Sequence, residues 1–170
     1  MTEGQVPQTL RPCQLHVRNH QRDCRLKTVE YKAAFQFHLE TQLGLSRYEI
    51  AVHLVSPTRM ARINQEHLNH EGPTDIITFS YREKPMKDLH GDLVICPAVA
   101  KAQASQFGTS WESELLRYFI HGILHLQGYD DQLGHDRRIM KREENRRLRA
   151  LLTHMPIKRD GLQRQHTGAT

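Results

Sequence analysis

Cysteine is scarce in this chain and long apolar runs are missing from it. Its 170 residues include three cysteines, Cys13, Cys24 and Cys96, scattered and forming no CxxC pair. That excludes a disulfide framework and predicts a reducing compartment. No segment approaches the roughly 18 uninterrupted apolar residues of a membrane span, and MTEGQVPQTLRPCQLHV at the N-terminus lacks the apolar centre of a secretory signal. A soluble, cytoplasmic protein with no membrane partner is therefore expected. No internal repeat is present.

What is present suits one domain with its own core: 38% of residues are hydrophobic and 25% charged. The formal charge of +5 is unevenly placed, since residues 1–133 carry 14 Lys/Arg against 15 Asp/Glu, whereas 134–170 carry 10 against 4. A basic C-terminal helix and tail on a nearly neutral body would attract polyanions, with a solvated helix face as the plainer alternative. The expected division is a flexible leader over 1–12, a domain over 13–152 and a disordered basic tail over 153–170.

Periodicity predicts strands over 13–19, 49–56, 75–81 and 91–96, with REKPMKD as the loop before the last. Helical spacing marks Thr28 to Gly44, a helix opened by Pro57, Ala98 to Phe107, a helix capped by Ser110, and Leu133 to Leu152. The helix after Ser110 is apolar on most sides and so should be buried, and Gly128 is placed to end it.

That buried helix carries the chemistry, in HGILHLQGYDD (121–131). His121 and His125 are four apart and stand on one helix face, the spacing at which two imidazoles share one tetrahedral ion. Gly128 lets the chain turn back so that a residue near 131 reaches the same ion. The spacing matches the HExxHxxGxxH signature of metzincin proteases with two departures: Gly122 replaces the general-base Glu, which argues against a protease, and Asp131 replaces the third His. Carboxylate oxygen is an accepted zinc ligand, so the metal set read here is His121, His125 and Asp131, with His135 as the competitor for third place.

The same residues resemble a known family, the YbeY-type endoribonucleases or rRNA maturation factors, whose members carry HGxLHLxGYDH. PTDIITFSY (73–81) resembles the family's PTDVLSF, GDLVIC (91–96) its GDIVI segment, and Glu114-Leu115 the EL pair ahead of the histidine helix. The resemblance spans about residues 13–152. It implies a single α+β domain, with a small mixed sheet of about four strands, about five helices and the zinc site at the end of the central buried helix. It further implies one Zn2+, a single-strand-specific endoribonuclease acting in small-subunit rRNA processing and ribosome quality control, and rRNA, the small ribosomal subunit and assembly proteins as partners. No nucleotide cofactor is expected. The three ligating histidines of the family fall on His121, His125 and, by substitution, Asp131.

In the family a functional arginine lies five residues before the proline of PTD; here that position is Leu68, leaving Arg62, His67 and His70 as nearby candidates for its role. The catalytic group expected is a water activated by the ion rather than a side chain, and an anionic ligand should weaken that activation. Binding without much hydrolysis, as a metal-stabilised ribosome-assembly or RNA-binding factor, is the alternative. For RNA, the basic row Arg137, Arg138, Lys141, Arg142, Arg146, Arg147 and Arg149 is the electrostatic candidate, and Phe79 and Tyr81 share a strand face, with core packing expected of Phe79.

Overall fold

Strand β2 (Tyr48–Leu54) alternates buried and half-buried residues along its whole length, as a strand with one face on the core must. In the computed structural model, which describes residues 13–81 and 88–155, it lies inside a four-stranded sheet of order β1-β2-β4-β3. Strands β1 (Gln14–Asn19), β2 and β4 (Leu89–Ile95) are parallel, and β3 (Ile76–Ser80) pairs antiparallel with β4. The sheet is mixed, as expected, although β4 begins two residues before Gly91. Most of the predicted REKPMKD loop, the leader and the tail beyond Met155 lie outside the described residues.

Helices α1 (Thr28–Phe37) and α4 (Trp111–Leu126) cover one face of the sheet, with the rings of Phe35 and Phe119 stacked 3.9 Å apart between them. Helix α2 (Pro57–Leu68) closes part of the other face through Met60, over Val55, Ile77, Val94 and Cys96. The helix predicted over 28–44 is interrupted: α1 passes into a π-helical turn, His38–Gln42, in which Leu43 N–H donates to the His38 carbonyl. His38 and Leu39, consecutive residues, are both fully buried there.

Pro57 and Pro97 each open a helix, α2 and α3 (Pro97–Phe107), where a missing N–H costs nothing. Helix α4 is capped by Ser110, whose Oγ accepts from Ser113 N–H, and eleven of its sixteen residues are buried. It is the central element. The last helix, α5 (Gly134–His154), packs beside it through Met140, Leu148 and Leu151.

Arg147 does not belong to the exposed basic row. It is 6% exposed, donates to Gln127 Oε1, pairs with Glu143 and lies over the Tyr129 ring. A buried guanidinium needs such partners, so it serves packing instead of facing RNA. Phe79 is half-buried against the α2 cluster, as expected, while Tyr81 is exposed beside His90. Among the described residues no helix is long and apolar enough to cross a membrane.

Candidate metal centre

Helix spacing puts His121 and His125 one turn apart on α4, with ring centroids 4.6 Å apart and planes nearly perpendicular. Gly128 then takes φ +91°, a conformation that disfavours a side chain, and Tyr129 N–H folds back onto the Leu124 carbonyl. After this turn the backbone N–H groups of Asp131 and Gln132 donate to Asp130 Oδ1. Arg137 Nε donates to the Asp131 carbonyl and fastens the loop to α5. The result brings Asp131 Oδ2 to 3.7 Å from His121 Nε2 and 3.9 Å from His125 Nε2.

The outer ring nitrogens fix what the inner ones can do. His121 Nδ1 lies 3.1 Å from Glu144 Oε2, and His125 Nδ1 lies 3.1 Å from the Tyr129 carbonyl. Both partners only accept, which assigns the hydrogen to Nδ1 in each ring and leaves both Nε2 atoms with lone pairs, 3.0 Å apart. Two lone pairs facing each other beside a carboxylate repel until a cation stands among them.

A metal ion fits this donor set. Ligand bonds of about 2.0–2.2 Å in a tetrahedron set donor spacings of about 3.3–3.6 Å, and the three observed spacings, 3.0, 3.7 and 3.9 Å, bracket that range. Among the described residues, His121, His125 and Asp131 are the group of His, Cys, Asp and Glu side chains that converges in this way. His135 is outside it, exposed on α5 beside Arg138 and Arg142. The pKa of His125 is lowered, first by burial and then by the neighbouring His121, with Asp131 acting against both; the ring is thus kept neutral and ready to donate its lone pair.

Glu144 is the support that sequence reading missed. It is 4% exposed, and besides His121 it accepts from Arg117 Nη1 and Lys141 Nζ, each at 2.8 Å. Burial by itself would raise its pKa, but the hydrogen bonds from His121, Lys141 and Arg117 outweigh burial and hold it at about 2. A permanently ionised carboxylate behind a metal-facing imidazole fixes both its tautomer and its orientation. The one available signal was an acidic pair, Glu143-Glu144, inside a basic helix.

Gly122, the residue that replaces the protease glutamate, is buried where α4 meets the sheet. A Cβ there would stand 2.7 Å from both Ile76 Cδ1 and Leu93 Cδ2. A side chain here has to displace both Ile76 and Leu93, so the close approach of helix and sheet disfavours a general base at this position.

None of the candidates for the missing arginine lines the cleft that holds His121 and Asp131. Leu68 is 49% exposed at the end of α2, Arg62 pairs with Glu66, His67 meets Phe79 edge-on, and the N–H of His70 caps α2 at Asn64. The centre opens into a cleft of about 460 Å3 whose cations come from α4 and α5: Arg117, Arg137 and Lys141. Arg117 is one turn before His121 on the same face, a relation the sequence contained.

Known proteins match the chain closely. The model of the family described as Endoribonuclease YbeY matches residues 16–152. Proteins named Endoribonuclease YbeY include one from Chlorobium luteolum, 41% identical over 108 residues, covering 64% of this chain and 77% of that one. Another, from Bacteroides fragilis, is 39% identical over 122 residues, covering 72% of this chain and 84% of its own. The solution structure of TM1509 from Thermotoga maritima shares the fold, with a TM-score of 0.62 at 24% identity over 83% of this chain and 91% of that one. An α+β domain with a mixed four-stranded sheet, a histidine pair at the end of its central helix and a match along 16–152 together establish that the chain belongs to the YbeY endoribonuclease family.

Proposed function

We propose that this protein is a zinc-dependent endoribonuclease that cuts single-stranded RNA, acting in small-subunit rRNA processing and ribosome quality control in the cytoplasm, with residues 13–152 as the catalytic unit. Family membership supports hydrolysis of RNA phosphodiesters. The observation that carries the metal dependence is the pair of Nε2 atoms turned toward each other, 3.0 Å apart beside the Asp131 carboxylate, with both Nδ1 atoms held from behind.

When bound, the ion supplies a Lewis acid that activates water and neutralises charge on the scissile phosphate. The chain's own groups do the rest. His121 and His125 offer neutral nitrogen donors; Glu144 and the Tyr129 carbonyl stop their rings from turning; Arg137 holds the loop that presents Asp131. Lys141, 57% exposed at its side chain, stands at the cleft wall where a phosphate oxygen can reach it. Asp131 adds a negative charge where the family's third ligand is neutral, which lowers the acidity of the centre and favours harder ions.

That anionic ligand and the absence of an arginine at Leu68 favour a second reading, a metal-stabilised RNA-binding or ribosome-assembly factor with little hydrolysis. Cleavage of single-stranded and structured RNA by the full chain, against His121→Ala and with chelation and metal add-back, separates the two. The nuclease reading expects wild-type cleavage that chelation and His121→Ala abolish with the fold intact. Cleavage indifferent to both excludes it, and unfolding on chelation indicates a structural ion instead.

A further inference from the structure

The cleft beside the metal trio is also lined by an aromatic residue, Phe107. Phe107 ends α3, is 67% exposed, and is followed by Gly108 in the left-handed region, so the ring sits at the tip of a firmly terminated helix. It lines the same cleft as His121, Asp131 and Lys141. One turn earlier on α3, Gln103 accepts from Tyr118 Oη at 2.7 Å through Oε1, which leaves its amide N–H groups as donors at the cleft wall.

We propose that Phe107 is a stacking platform for an unpaired nucleobase, seating one nucleotide of the substrate between α3 and the metal trio. The inference rests on the ribonuclease reading and names the feature of the substrate that the cleft selects. A volume of about 460 Å3 lies within the range of about 300–1,000 Å3 usual for small-ligand sites. The occupant needs a flat apolar face to cover Phe107 and an anionic group to meet an ion held by His121, His125 and Asp131, with Lys141, exposed beside Glu144, within the same cleft; the carboxylates of Asp75, Glu114 and Glu144 on the remaining wall confine that anionic group to the ion.

A nucleotide has that division of character, and only an unpaired one can turn its base face outward. Other exposed large apolar residues lack the setting: Val29, Leu68 and Leu133 do not line the cleft, and Tyr81 is engaged by His90 and Asp92. Gln103 is placed to donate to a base edge, which would add a preference among bases.

The test is binding of a fluorescently labelled single-stranded oligoribonucleotide, and of the same sequence as a duplex, to the full chain in the presence of a chelator. Wild type, Phe107→Ala and Phe107→Tyr are compared, the tyrosine retaining the ring. Loss of one stacking contact predicts a fall in single-strand affinity of about 5- to 100-fold for Phe107→Ala, affinity within about twofold of wild type for Phe107→Tyr, and no change on duplex. Unchanged single-strand binding in Phe107→Ala, an equal loss on duplex, or an equal loss in Phe107→Tyr overturns the proposal. His121→Ala, run beside them, separates it from the reading on which it rests: RNA cleavage that needs His121, with binding indifferent to Phe107, sinks the platform alone. Binding that needs Phe107 without any cleavage supports the platform and sinks the nuclease.

Discussion

Glu144 Oε2 stands 3.1 Å from His121 Nδ1, joining two helices across 23 residues of sequence and turning the opposite nitrogen of the ring toward His125. Metal affinity should therefore depend on a residue that never touches the ion. Glu144→Gln keeps the shape and loses the charge, and competition against a coloured chelator should show affinity lowered by about 10- to 100-fold. An affinity within about twofold of wild type would mean that the contact is incidental.

Installing the protease base should damage the fold and create no peptidase. In Gly122→Glu the new side chain must enter the contact between α4 and the sheet, where Ile76 and Leu93 already stand 2.7 Å from a Cβ. Overpacking plus a buried carboxylate predicts a loss of several kcal/mol in chemical denaturation. A loss below about 1 kcal/mol, the ordinary size of a tolerated change, would contradict the packing account.

Acid should destabilise the protein through His38. The ring is fully buried at the π-helical turn, with Nδ1 2.5 Å from Gln42 Oε1, and burial drives its pKa from 6.5 down to about 4. The unfolded chain takes up the proton first, so the contribution of the neutral ring is complete above pH 6.5 and is lost as pH falls from 6.5 toward 4. Denaturation curves should show up to roughly 3 kcal/mol of loss across that window, and His38→Gln should flatten the slope. Parallel pH profiles for the two proteins would rule His38 out as the cause.

The basic helix should bind RNA through only part of its charge. Arg137, Arg146 and Arg147 have partners within the fold and Lys141 stands beside Glu144 at the cleft, whereas Arg138, Arg142 and Arg149 are exposed, form no ion pair among the described residues, and fall on one face of α5 by their spacing. Replacing Arg138 and Arg142 with serine should weaken single-stranded RNA binding at low salt and make its logarithmic salt dependence shallower by about 1.4, at about 0.7 per phosphate contact. The same change at Arg147 should unfold the end of α4 instead. An unchanged salt slope would make the row a solvated face.

Much of the centre was legible because it is local. His121, His125 and Asp131 span eleven residues, and a helix followed by a glycine turn determines their relation almost without help from the rest of the chain. The placement of Asp131 and His135 has the same basis: the turn after Gly128 returns residue 131 toward α4, whereas residue 135 lies exposed on α5 beside Arg138 and Arg142. The contact between Glu144 and Arg117 was not legible, since it depends on how α4 and α5 pack. Hydrophobic pattern gives the buried stripe of α5 and says nothing of a charged residue recruited beside it. The π-helical turn was hidden for a related reason, because the sequence from Thr28 to Gly44 keeps its helical spacing while the backbone widens to bury His38 and Leu39 together.

His121, His125 and Asp131 are expected to hold one metal ion between them. Calorimetric titration of Zn2+ into the metal-free full chain tests it most directly, with His135→Ala and Asp131→Ala as the deciding variants. One ion per chain is expected in wild type and in His135→Ala, and affinity weakened at least about tenfold in Asp131→Ala. Uptake unaffected by Asp131→Ala but lost in His135→Ala would contradict it.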